Sequence, residues 1–123
     1  PTPTSMILVD TSVWADHLRS PDKGMSHLLD GNKILTHPFV IEELACGHLP
    51  DRRAFLSLIH GLPQVPLATH HEVLGLIVNR KLFGTGLGSV DVHLLASALH
   101  ANVKLWSRDK ALIREAARLN VAA

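Results

Sequence analysis

An α/β fold with a central parallel sheet is what this 123-residue sequence predicts. Three observations carry that expectation. Two short, largely apolar runs, MILV at 6–9 and VKLW at 103–106, lack the alternation of a half-exposed strand and suit strands covered on both faces. Each run leads into an acid, Asp10 or Asp109, followed by a helical pattern. Further strand candidates alternate with helical segments of about 10 to 15 residues, the pattern of βαβ units. In such sheets ligands bind beyond the carboxyl ends of the strands, which is where both acids fall.

Taken in order, Thr11 or Ser12 is a plausible N-cap for the helix TSVWADHLRS, which Pro21 stops. A second short helix over 22–30 ends at Gly31, and NKILTH gives a strand centred on Ile34 and Leu35. Pro38 suits the first turn of FVIEELACG, with Gly47 as its stop. Pro50 opens DRRAFLSLIH, whose buried stripe is Phe55, Leu56 and Ile59. QVPLA is a weak strand, demoted by Pro66 to an edge or a short piece. Thr69-x-x-Glu72 reads as a capping box before a helix burying Val73, Leu74, Ile77 and Val78. After the GTGLG loop, Ser89 caps VDVHLLASALHAN, and VKLWS follows as a strand. The last helix sets Leu112, Ile113, Ala116 and Leu119 against Arg114, Glu115 and Arg118 on a wet face, and 120–123 add a short terminal strand.

Composition narrows the function classes. Hydrophobic residues make up 46% and charged residues 19%, an ordinary globular balance. The expectation is one domain over 1–123 with residues 1–5 as a loose leader. No apolar run approaches the roughly 20 residues that cross a bilayer, and PTPTS has neither the basic region nor the apolar core of a signal peptide. Cys46 is the only cysteine, so no internal disulfide forms, in keeping with a reducing cytoplasm. In its apolar helix it is expected to pack rather than react. A net charge of +1 does not mark a polycationic nucleic-acid binder, yet leaves room for a basic rim around an acidic centre.

Several acids stand where carboxylates are costly. Asp10 and Asp109 share a strand-end context, although each also suits a helix N-cap. Asp91 has Leu94, Leu95 and Ala98 three, four and seven residues on, so it sits on an apolar stripe as well as in a first turn that favours negative charge. Glu42 and Glu43 both lie inside an apolar helix, and helical geometry does not choose between them. The nine histidines offer no ligand pair with a convincing companion. GTGLG lacks the strand before it and the Lys-Ser/Thr after it that a phosphate-binding loop needs. A phosphatase working from a strand-end Asp requires a second Asp two residues on, where Ser12 stands.

The order is a strand-end Asp with Thr-Ser behind it, a helical Glu-Leu-x-x-Gly, a helix-start Asp in GLGSVDVHLLASA and a strand-end Ser-Arg-Asp. Together these resemble the PIN-domain nucleases, specifically the VapC toxins of bacterial toxin–antitoxin pairs, over residues 6 to 120. The resemblance implies a three-layer α/β/α fold with a parallel sheet of about five strands. It places an acidic quartet on Asp10, Glu43, Asp91 and Asp109, taking Glu43 because Leu44 and then Gly47 follow it. Crowded carboxylates repel one another; a hard divalent ion, Mg²⁺ or Mn²⁺, relieves this. The implied activity is metal-dependent endoribonuclease cleavage of structured RNA, tRNA or rRNA, by water attack that leaves 5′-phosphate and 3′-hydroxyl ends. Asp10, Asp91 and Asp109 are the expected ligands of one ion, with Glu43 on a second ion or the water. Thr11, Ser12 and Ser107 are the hydroxyls expected to support them. Arg80, Lys81, Arg108 and Lys110 are candidate phosphate contacts. A homodimer and a VapB-type antitoxin covering the site are the implied protein partners. The alternative is a PIN-like module that binds RNA or protein without cutting.

Overall fold

The computed structural model describes residues 6–123; the expected leader at 1–5 lies outside them. Strand β1 (Ile7–Val9) occupies the centre of a parallel sheet, between β2 (Ile34–Leu35) and β3 (Lys104–Trp106). Ile7 pairs with Ile34 on one side and Lys104 on the other, and Val9 pairs with Trp106. Successive strand residues point to opposite faces, and Leu8 and Val9 are both 0% exposed. The sheet is therefore covered on both faces, as the unalternating MILV run requires.

The helices are α1 (Thr11–Arg19), α2 (Lys23–Asp30), α3 (Pro38–Cys46), α4 (Arg52–His60), α5 (His70–Asn79), α6 (Ser89–Ala101) and α7 (Lys110–Arg118). Trp14 on α1 is buried and meets the Phe55 ring of α4 edge-on, centroids 5.8 Å apart. Ser97 on α6 donates to the Pro66 carbonyl at 2.9 Å, tying that helix to the chain beyond α4.

Among the described residues three strands stand where about five are expected. The outer two shrink to single parallel bridges, Thr36 with Gln64 and Leu105 with Ala122. Pro63 and Pro38 lack the N–H groups that the rungs on either side of the first would need, and in the second Leu105 N donates to Val121 O at 2.7 Å. The class is unchanged: helices around a parallel sheet.

Other expectations need correction. Leu74 and Val78 are 49% and 68% exposed, so only the Val73 side of α5 faces the core. Ile113 is 43% exposed, whereas Glu115 is buried. Cys46 is exposed at the last turn of α3 rather than packed. Asp10, not Thr11 or Ser12, is the N-cap residue of α1, and Gly88, not Ser89, that of α6. The capping box at Thr69 and Glu72 is present in full.

Candidate active site

Asp10 leaves β1 at its carboxyl end, where its N–H still donates to the Trp106 carbonyl at 2.9 Å. The residue is only 5% exposed. Two hydroxyls serve the same carboxylate oxygen: Ser12 Oγ and Ser107 Oγ each donate to Oδ2 at 2.8 Å. Among the described residues no donor reaches Oδ1. One oxygen is thus anchored by two hydroxyls while the other has no protein donor among the described residues.

The same hydroxyls lace the two strand ends together. Ser12 Oγ accepts from Arg108 N at 2.9 Å, and Ser107 Oγ accepts from Asp109 N at 3.0 Å. Asp109 in turn caps α7, with Leu112 N donating to its Oδ2 at 2.9 Å. Asp91 is in the first turn of α6, where Gly88 N donates to its Oδ2 at 3.0 Å. Both carboxylates therefore serve as helix-start acceptors, Asp109 for α7 and Asp91 for α6. Glu43 on α3 accepts from Thr11 Oγ1 at 2.7 Å, which orients it over the start of α1.

Asp91 joins these fragments into one centre. Half-burial pushes its carboxyl upward, and the nearby charges of Asp10, Asp109 and Glu43 push the same way, against the lowering bond from Gly88. All four acids of the quartet thus share one electrostatic neighbourhood. Among the described residues no three His, Cys, Asp or Glu side chains stand close enough to hold an ion as placed. The donor set nevertheless fits a hard divalent ion. It is all carboxylate oxygen, one Asp10 oxygen is unengaged, and its mutual repulsion is what such an ion relieves.

The basic candidates divide. Arg80, Lys81 and Lys110 are exposed. Arg108 instead gives Nη1 to Asp16 at 2.8 Å and Nη2 to Asp22 at 2.5 Å, with its guanidinium 5.6 Å from the Trp106 ring centroid. Arg108 therefore offers a phosphate only the donors that Asp16 and Asp22 leave unused. Asp22 also caps α2 through Met25 N, and that bond, with Arg108 beside it, holds its carboxyl below the usual range. Arg108 lies 92 residues from Asp16 and 86 from Asp22, so no local pattern announces the pairing.

Against known proteins, the model of the PIN domain family matches residues 7–119. The chain belongs to the PIN-domain family. Within it the chain is of the VapC type: it is 49% identical over 118 residues to Ribonuclease VapC32 of Mycobacterium tuberculosis, strains CDC 1551 / Oshkosh and ATCC 25618 / H37Rv, covering 95% of each chain. Among solved structures, PAE2754 from Pyrobaculum aerophilum superimposes with a TM-score of 0.66 at 19% identity, covering 98% of this chain and 89% of that one. FitAB bound to an IR36 DNA fragment gives a TM-score of 0.61 at 19% identity, covering 95% and 92%. These two likenesses concern the fold.

Proposed function

We propose that this chain is a VapC-type toxin: a divalent-metal-dependent endoribonuclease that cleaves structured RNA, tRNA or rRNA, by water attack on a phosphodiester. The observation that carries the reading is the match of residues 7–119 to the PIN domain, with 49% identity over 118 residues to a VapC ribonuclease, and the nearby charges of Asp10, Asp109 and Glu43 around half-buried Asp91 agree with it. Asp10, Asp91 and Asp109 would hold one Mg²⁺ or Mn²⁺, and Glu43 would hold a second ion or orient the water. A bound divalent ion supplies an activated water and neutralises charge at the phosphate. The chain's own part is positional. Ser12 and Ser107 hold Asp10 Oδ2, which would leave Oδ1 for the ion, and Thr11 bonds Glu43. Arg80, Lys81 and Lys110 are the free cations that would neutralise flanking phosphates, with Arg108 joining them if Asp16 and Asp22 release it.

Partners follow the same reading. A groove of about 520 Å³ lined by Thr11, Ala15, Leu18, Glu43, Leu44 and Leu49 runs off the acidic centre between α1 and α3. It suits an apolar stretch of a VapB-type antitoxin passing over the site. Leu74 and Val78, one turn apart on α5, and Phe83 at 66% exposure leave an apolar face that suits a second copy of the chain. No helix among the described residues is long and apolar enough to span a membrane, and we place the action in the cytoplasm, where the RNA is.

The test is incubation of the purified chain with total RNA in Mg²⁺ and in EDTA, beside Asp10→Asn. Cleavage that needs Mg²⁺ and vanishes in the variant is the expected result. Equal cleavage by both proteins would contradict it, and binding without cleavage would favour a non-catalytic PIN-like module.

A further inference from the structure

Away from the four acids, Glu115 is a second buried carboxylate, 4% exposed. Two arginines of its own helix meet it. Arg114 Nε donates to Oε2 at 2.9 Å and Arg118 Nε to Oε1 at 2.7 Å, and these bonds hold its carboxyl below the ordinary range. The far ends of both guanidiniums leave α7. Arg114 Nη2 donates to the Thr85 carbonyl at 2.6 Å and Arg118 Nη2 to the Arg80 carbonyl at 2.7 Å.

Both carbonyls belong to residues 80–88, the connection from α5 to α6. Thr85 Oγ1 folds that segment back onto the Leu82 carbonyl at 2.5 Å. Gly86, with φ at +87°, lets it lie against the first turn of α7: a Cβ there would come 3.7 Å from Ala111 Cβ. The segment ends at Gly88, whose N–H holds the Asp91 carboxylate. One end of the cluster therefore anchors the helix that begins at Asp109, and the other anchors the approach to Asp91.

We propose that Glu115 is a positioning residue which, by fixing the forks of Arg114 and Arg118, staples residues 80–88 to α7 and sets Asp91 against Asp109. It rests on the reading of the four acids as a metal centre. An arginine 59% exposed, or 44%, as these side chains are, is free to sample many rotamers. A buried carboxylate taking both Nε atoms removes that freedom and aims each Nη2 at a carbonyl. Sites shared between two helix starts need this, because ligand geometry must hold to fractions of an ångström. Glu115 touches none of the four acids, so its influence runs through the placement of the α6 start.

The experiment compares wild type with Glu115→Gln by hydrogen exchange and by calorimetric Mn²⁺ titration. Expected are faster exchange confined to the amides of residues 82–91 and Mn²⁺ binding weakened about tenfold, the lower end for outer-sphere changes at metal sites. Exchange in β1 and β3 stays as in wild type. Unchanged exchange over 82–91, or a loss of protection spread evenly over the whole chain, overturns the proposal. Should Glu115→Gln not fold, Arg118→Ala at the exposed end of the staple carries the same comparison with the same expected direction. Equal Mn²⁺ affinity in wild type and variant overturns the positioning role alone, whereas a wild-type chain that binds no Mn²⁺ overturns the metal-centre reading beneath it.

Discussion

Asp10 sits at 5% exposure with one oxygen bonded to two serine hydroxyls, so its environment prepares it for one outside partner. Ser107→Ala removes a donor to Asp10 and an acceptor for Asp109 N at once. Calorimetry should find Mn²⁺ affinity lowered by about 10- to 100-fold, as for other ligand-supporting groups. His37 offers a residue-scale prediction of another kind. It is fully buried at the start of α3, its Nδ1 accepting from Phe39 N at 3.0 Å and its Nε2 without a partner among the described residues. Burial first, and then His93 across the Phe39 ring, lower its pKa from 6.5 to about 4. The unfolded chain therefore binds the extra proton between those values, and stability rises with pH across that window. About 3 kcal/mol follows from such a shift, present above pH 6.5 and lost on acidification towards pH 4. Chemical denaturation at pH 7 and pH 4.5 should show His37→Asn losing less stability on acidification than wild type.

At this scale the sequence was legible where an acid interrupts an apolar pattern. Asp91 announces itself by sharing a stripe with Leu94, Leu95 and Ala98. Glu115 meets the same criterion, with Leu112 three residues before it and Leu119 four after, both buried, yet its Arg neighbours made the wet face look the natural place. Periodicity does not choose between Glu42 and Glu43, and the contact that distinguishes them, Glu43 with Thr11, joins residues 32 apart in the chain.

Elements place these residues through their ends. β1 and β3 are parallel and in register, Val9 beside Trp106, so the residues following each strand emerge together at one edge of the sheet. The N-termini of α6 and α7 bring Asp91 and Asp109 to it, where helix dipoles favour negative charge. The cap of α5 was readable at Thr69, those of α1 and α6 fall one residue or so before the ones expected, and the outer strands, read as weak or short, shrink to bridges. Single bridges at Gln64 and Ala122 are tertiary outcomes that a five-residue apolar stretch does not reveal. The exposed faces of α5 were misread because a stripe of Leu74 and Val78 looks the same whether its cover is the chain's own core or another molecule. The capping box of α5 is measurable in isolation: Thr69→Ala loses the bond from Glu72 N at 3.1 Å and should cost about 1 kcal/mol in chemical denaturation.

For the whole molecule, the acidic centre, the groove beside it and the apolar α5 face are three separate surfaces, to which the proposed function assigns different partners. If the α5 face covers a second copy, Val78→Asp should convert a dimer to a monomer in light scattering coupled to size exclusion without altering the far-UV spectrum. If the four acids bind a cation only when folded, saturating Mn²⁺ stabilises the fold by mass action, by about 2.7 kcal/mol at a hundredfold excess over Kd. Asp10→Asn should lose that increment in thermal melts.

The chemistry of the cut ends tests the central claim most directly. Attack by a water oriented among carboxylates leaves 5′-phosphate and 3′-hydroxyl termini, whereas attack by the neighbouring 2′-hydroxyl of RNA leaves a cyclic phosphate and a 5′-hydroxyl. Fragments made by the purified chain in Mg²⁺ should ligate directly through their 5′-phosphates, with the signal absent in EDTA and in Asp10→Asn. Fragments that ligate only after kinase treatment, at equal yield in EDTA, would contradict the account.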